Sequence, residues 1–234
     1  MTLQTMTKKP ETVNREDLIK RKDNLMYKKY ARVPFTGVYE SFHENGQLES
    51  RNNCKNGIHD TYEWFHDNGQ LEVRGQHIRG QKINGCFKID GLYEEFRENG
   101  ELYLRGHNKW GSRIGLFEWF HDNGQLQSRV NYKSGEYEGP FEMFSVSGKL
   151  WSKQNYKNGQ REGLHEWFHK NGQLRHRGNY KNGKKEGLWE TFQDNGQISV
   201  TGNYKNDEKD GLWKYYLRGD LTTSETWDNG KLVE

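Results

Sequence analysis

The amino-acid sequence predicts an all-β protein, an elongated and curled antiparallel array of β-hairpins, and three observations predict it. The chain of 234 residues carries 27 glycines but 3 prolines, and 8 Trp, 13 Tyr and 11 Phe supply much of its 31% hydrophobic content. Ala31 is the only alanine, which argues against helices. The second observation is a line of about 24 residues that recurs eight times, and the third is that each copy reads as two short strands around a turn dipeptide.

The copies begin at Gly37, Asp60, Gly91, Gly115, Gly139, Gly163, Gly187 and Gly211. Their turn glycines, Gly46, Gly69, Gly100, Gly124, Gly148, Gly172, Gly196 and Gly219, lie 23, 31, 24, 24, 24, 24 and 23 residues apart. Asn-Gly suits a two-residue type I′ turn, because both central residues need positive φ. With Asn195 and Gly196 as that loop, Glu190 faces Thr201, and the same columns elsewhere are Glu40–Arg51, Glu63–Arg74, Glu94–Arg105, Glu118–Arg129, Glu142–Lys153 and Glu166–Arg177. Opposite charges face each other in six copies. Such pairs contribute only ~0.2–1 kcal/mol each, so they matter here as a sign of register.

The register places Tyr39, Tyr62, Tyr93, Phe117, Phe141, His165, Trp189 and Trp213 on the face opposite the charge ladder. On that apolar face Trp189 is expected over Gly202 and His165 over Gly178, a ring covering bare backbone. A second column, Phe42, Phe65, Phe96, Phe120, Phe144, Phe168, Phe192 and Tyr216, falls on the ladder face. Rings on both faces imply that hairpins stack and that the sheet curls. One hairpin cannot bury a core, so stability should be a nearest-neighbour sum along the array.

The recurring line G-L-W-E-x-F-x-x-N-G-Q-L-x-x-x-G-x-Y-K-N-G resembles the MORN-repeat variant found in YwqK-like antitoxin proteins. Leu25 to Tyr39 is similar to the leader that introduces the repeats there, Pro34-Phe35-Thr36-Gly37 most closely. The resemblance covers about residues 18–234. It implies an elongated antiparallel β array that acts through protein contact, in an antitoxin or immunity role.

Sequence patterns that suggest chemistry fail on geometry. His165-Glu166-Trp167-Phe168-His169 satisfies H-E-x-x-H, but the repeat puts it on a strand, where four residues span ~13 Å and two histidines cannot share one ion. His43, His66, His121 and His169 flank turns at equivalent positions ~9.6 Å or more apart and read as polar flanks. Cys54 and Cys86 occupy unrelated columns, without the spacing of a nucleophile or a zinc site. No enzyme, cofactor, metal or small-molecule substrate is expected.

The repeat breaks its own rule in one column. Tyr132, Tyr156, Tyr180, Tyr204 and Trp227 share it, but Cys54, His77 and Asn108 occupy it in the first three copies. Nearby lies a linker at 81–90 that is longer than usual, and a neighbouring column holds Trp64, Trp119 and Trp167. These residues, Trp64, His77, Asn108, Trp119 and Trp167, are the candidate partner-binding set, because exposed aromatics are common interface anchors. Degenerate terminal repeats would produce the same break.

Residues 1–17 are expected to be a disordered basic leader, 18–36 a leader hairpin with Leu18-Ile19 and Leu25-Met26-Tyr27 as strands, and 37–234 the repeat domain. Residues 1–36 hold 9 Lys/Arg against 4 Asp/Glu, and the remainder 27 against 29, so the repeats are not a nucleic-acid surface on charge. Absence of a signal-type or membrane-length apolar run makes the cytoplasm the expected location. The chain reads as a non-enzymatic binder that sequesters a partner protein, such as a toxin, through an aromatic sheet surface. A scaffold with peripheral membrane contact is the alternative.

Overall fold

The computed structural model describes residues 10–23, 25–83 and 86–233, the side chains of 77–89 excepted. The chain divides into two compact units, Met1–Ser112 and Arg113–Glu234.

In the first unit β1 (Thr12–Asn14), a 3-10 turn (Arg15–Asp17), β2 (Leu18–Lys20) and β3 (Met26–Lys28) precede the repeats. Three hairpins follow: β4 (Gly37–Phe42) with β5 (Leu48–Lys55), β6 (Ile58–Phe65) with β7 (Leu71–Ile83), and β8 (Cys86–Phe96) with β9 (Leu102–Lys109). Each of these strands pairs antiparallel with the next. The second unit continues with the fourth hairpin, β10 (Ser112–Phe120) and β11 (Leu126–Lys133), and the fifth, β12 (Glu136–Phe144) and β13 (Leu150–Lys157). The sixth is β14 (Gln160–Phe168) and β15 (Leu174–Lys181), the seventh β16 (Lys184–Phe192) and β17 (Ile198–Lys205), and the eighth β18 (Glu208–Leu217) and β19 (Asp220–Asp228), before a short β20 (Lys231–Leu232).

The register is the one the charge columns predict: Glu40 faces Arg51, Glu118 faces Arg129, Glu166 faces Arg177, and Glu190 faces Thr201. The turn is different. Gly46 N–H donates to His43 O at 2.9 Å and His43 N–H to Gln47 O at 2.8 Å, while Gly46 alone of the Asn-Gly pair has positive φ, +83°. This is a type I turn closed by a glycine bulge, not type I′. Type I′ turns instead join one repeat to the next, as at Asn158 (φ 48°) and Gly159 (φ 75°) or Asn182 (φ 50°) and Gly183 (φ 81°). The bulge leaves the Asn45 side chain free to accept the Gln47 N–H at 2.9 Å through Oδ1 and to donate to Asp67 O of the next turn at 2.8 Å through Nδ2.

The rings also reach further than expected. Trp189 and Gly202 are opposed in register, but a Cβ at Gly178 would overlap the Trp189 indole and one at Gly202 the Trp213 indole. Each tryptophan thus lies over the glycine of the preceding hairpin, and its Nε1 donates to that hairpin, Trp189 to Asn179 O at 3.3 Å and Trp213 to Asn203 O at 3.1 Å. The result is a core one ring deep that runs from hairpin to hairpin, with Phe117 and Val130 fully buried.

Within each unit the sheet is open and does not curl. The expected reason for curling, rings on both faces, is weakened because four of the ladder-face phenylalanines are covered locally. Arg51 sits over Phe65, Arg74 over Phe96, Arg129 over Phe144 and Arg177 over Phe192, at 5.4–5.9 Å.

The leader packs rather than floats. Thr12–Asn14 pairs parallel with β4, and Leu18 to Lys20 pair with Met26 to Lys28, so residues 10–17 are not the unstructured segment the sequence suggested. Residues 1–9 lie outside the described residues. Leu18, Met26 and Phe35 form one core with Tyr39 and Cys54, which accounts for the small Cys54 where later repeats carry tyrosine: the leader fills that volume. The long 81–90 segment extends both arms of a hairpin, with Lys82 opposite Phe87 and Ile83 opposite Cys86.

Gly178→Ala and Gly202→Ala should each destabilise the protein by about 1–3 kcal/mol through overlap with the indole above, measured by urea unfolding.

Candidate interaction surface

The ladder face is built from three rows. Nearest the turns are the arginine-covered phenylalanines. Beside them the charge ladder runs between hairpins as well as within them: Arg51 Nε is 2.9 Å from Glu40 and its Nη1 3.5 Å from Glu63, Arg129 reaches Glu142 at 2.6 Å, and Arg177 reaches Glu190 at 2.6 Å. Farthest from the turns is a row the sequence reading did not single out, Leu116, Pro140, Leu164, Leu188 and Leu212, one residue from each hairpin of the second unit. Its leucines are 41–51% exposed. They face Asn131, Asn179, Asn203 and Thr226, so the row is apolar with polar flanks. The signal was the leucine after the first glycine of five repeats, Leu92, Leu116, Leu164, Leu188 and Leu212.

The ring face of the same unit is closed by its own chain. Arg161 lies 5.2 Å from the Tyr180 ring, Lys185 is 4.6 Å from that of Trp189, and Lys209 is 4.6 Å from that of Trp213. Arg113 sits over Phe117 at 4.9 Å and donates to Tyr132 Oη at 2.8 Å. Each such cation contact is worth ~0.5–1 kcal/mol and shields ring area from solvent. Under this lid His165 stacks on His176 at 5.5 Å. Burial, followed by the nearby His176, Arg161 and Lys185 charges, pushes the His165 imidazole down to about 4.

Of the five residues singled out from sequence, Trp64, His77 and Asn108 belong to the first unit and Trp119 and Trp167 to the second. Trp64 is 45% exposed. Trp119 and Trp167 are half-buried on the ring face, Trp119 tilted against Phe117 at 6.1 Å and Trp167 edge-on to Trp151 at 5.0 Å. Asn108 is buried and so contributes to packing, not to an accessible face. The His77 side chain lies outside the described residues, although its backbone pairs with Ile89.

The histidines of the turns act as ties. His43, His66, His121 and His169 each place Nε2 2.8–3.2 Å from the carbonyl of a phenylalanine in the following hairpin. His165, by contrast, is buried in the ring row. Among the described residues no three His, Cys, Asp or Glu side chains come together as a metal site. Burial pushes the Cys54 thiol up to about 11, which leaves it a poor nucleophile at neutral pH. No described helix is long and apolar enough to cross a membrane.

A double-mutant cycle on Arg177→Ala and Glu190→Ala should give a coupling of about 0.3–1 kcal/mol that shrinks in molar salt, since the pair is partly exposed. His165 gives an acid dependence of known sign. Its folded value lies below the ordinary ~6.5, so the unfolded chain takes the proton first. Its contribution is complete above about pH 6.5 and is lost as pH falls towards 4. His165→Phe should remove that part of the acid destabilisation, read from unfolding curves across the interval.

A family model described as a MORN repeat variant matches residues 35–56, 61–78, 113–134, 137–158, 161–182 and 185–206, more than half of the chain. No curated protein matches it. Repeats of this type are in general non-catalytic modules that contact proteins or membranes. Each matched stretch falls on a hairpin built from the same ladder, ring row and turn, and the chain belongs to the MORN-repeat variant family.

Proposed function

We propose that this chain is a non-enzymatic binding array that sequesters a partner protein, in the antitoxin or immunity manner that the sequence resemblance implies, and that the leucine row of the second unit is the principal contact. The observation that carries this reading is the row itself. Half-exposed leucines recur at the spacing of successive hairpins, on strands held in register by ion pairs, with asparagines beside them. A regular apolar stripe on a rigid sheet offers hydrophobic contact at little ordering cost.

The leader supports a protein partner over a membrane surface. Arg15 lies over Tyr39, Arg21 lies over Tyr27 and donates to Ala31 O, and Lys28 pairs with Glu11, so three of its cations serve the fold. Tagged protein should recover a stoichiometric partner from extracts of the native host, and the complex should survive high salt. Leu188→Asp with Leu212→Asp should weaken the complex by about a hundredfold, close to 3 kcal/mol, with the fold retained by circular dichroism. Undiminished binding by that variant would remove the leucine row from the interface.

A further inference from the structure

Four pairs of consecutive hairpins, the first with the second, the second with the third, the fourth with the fifth and the sixth with the seventh, are tied at their turns by three links from the earlier to the later one. From the fourth to the fifth, His121 Nε2 meets Phe144 O at 3.0 Å, Asn123 Nδ2 donates to Val146 O at 2.9 Å, and Arg129 covers the Phe144 ring at 5.7 Å. From the sixth to the seventh, His169, Asn171 and Arg177 do the same for Phe192 O (2.9 Å), Asp194 O (2.6 Å) and the Phe192 ring (5.7 Å). Between the fifth and sixth all three links fail together, as they do between the seventh and eighth, where Gln193 and Thr201 replace the histidine and arginine and Asn195 Nδ2 donates to Gln197 Oε1. Ser145 and Ser147 replace the histidine and asparagine and bond to each other, Oγ to Oγ, at 3.0 Å. Lys153 replaces the arginine and turns back to Glu142 at 3.6 Å.

Among the described residues no side chain donates to Phe168 O or Lys170 O, and no cation covers Phe168. A cavity of about 1200 Å³ opens there, lined by both turns. Its floor is apolar, with Phe144, Leu150, Phe168 and a 44%-exposed Trp151, and Val146 stands 61% exposed at its edge.

The rim departs from the repeat in charge as well. The turn residue that is Glu44, Asp67, Asp122 or Asp194 in other copies is Val146 in the fifth and Lys170 in the sixth. Lys149 stands where most copies have glutamine, and Arg175 where the first two have Glu49 and Glu72. Lys149, Lys170 and Arg175 line the cavity against a single carboxylate, Asp194.

We propose that this cleft is a docking site for an extended acidic peptide segment of a partner protein. An apolar side chain of the segment rests on Trp151, Leu150 and Phe168, and its carboxylates meet Lys149, Lys170 and Arg175. Charge complementarity selects an anionic occupant. Two carbonyl oxygens without side-chain donors, two residues apart, select one that carries backbone N–H groups, which a peptide has and a phospholipid headgroup largely lacks. The proposal rests on the protein-binding reading above and adds to it a second contact of defined chemistry.

The test is selection of a displayed library of random peptides on the wild-type protein. It should enrich sequences that combine Asp or Glu with a large apolar residue. Ser145→His, Val146→Asp, Ser147→Asn and Lys149→Gln together rebuild the turn used by other copies, so this variant should fold at least as well and bind the selected peptides at least about tenfold more weakly. Lys170→Glu with Arg175→Glu, which keeps the cleft but reverses its rim, should lose them as well. Peptides without the acidic signature, no enrichment, or equal binding by the rebuilt variant would overturn the proposal. So would binding of phosphatidylserine vesicles that both variants lose while no acidic peptide is selected. The selected peptides should bind Leu188→Asp/Leu212→Asp unchanged, so failure of the leucine row and failure of the cleft are read separately.

Discussion

Everything in this structure depends on contacts that each hairpin makes with the next, because no hairpin has a core of its own. Two strands of eight or nine residues offer one inward row, one ring deep, and a two-stranded ribbon of that size is marginal in water. Trp213 lying over Gly202 and Trp189 over Gly178 turn separate rows into one continuous layer. On the other face, Arg177 pairs with Glu190 of the following hairpin while covering its Phe192. One arginine therefore satisfies a carboxylate and shields a ring, which is why the ladder face can hold aromatics without a second sheet against it.

Nearest-neighbour coupling has a consequence at each place where a neighbour differs. At the start, β4 has no earlier repeat to lean on, and the leader takes that role: Met26, Leu18 and Phe35 bury Tyr39 and Cys54, and Val38 N–H donates to Glu11 O at 2.7 Å. In the interior, the fifth hairpin lacks its forward ties and a gap opens beside it, and its substitutions are concerted: the turn residues Ser145, Val146 and Ser147 and the ladder residue Lys153 differ from the other copies, while Gly148, Leu150 and Phe144 keep the hairpin itself intact. Loss of coupling without loss of fold suits a functional position, since the array tolerates it locally.

Much of the local design was legible in the sequence. The charge columns located the register to the residue, because direct cross-strand pairing leaves little freedom once one turn is placed. The turn type was not legible. Asn-Gly fits type I′ in isolation, and Asn158-Gly159 adopts it, but Asn45-Gly46 forms a bulged type I turn in which the Asn45 amide ties to Asp67 O of the next hairpin. The cover on the ring column was not legible either: the cations two residues before the repeat glycines, Arg161, Lys185 and Lys209, lie on Tyr180, Trp189 and Trp213.

The sequence by itself determined the fold class, the spacing of the strands, their register and the membership of each face. All of these follow from periodicity within one repeat, where interacting residues are close along the chain. Tertiary structure decided which hairpin a side chain serves, whether the leader is packed, and which apolar rows stay open to solvent. Trp189 faces Gly202 in register yet covers Gly178, and Asn108 is buried while Leu188 is not. The reason is physical: sequence pattern assigns a side chain to a face of the sheet, but the lean of a long ring or guanidinium across the next pair of strands depends on what those strands leave empty.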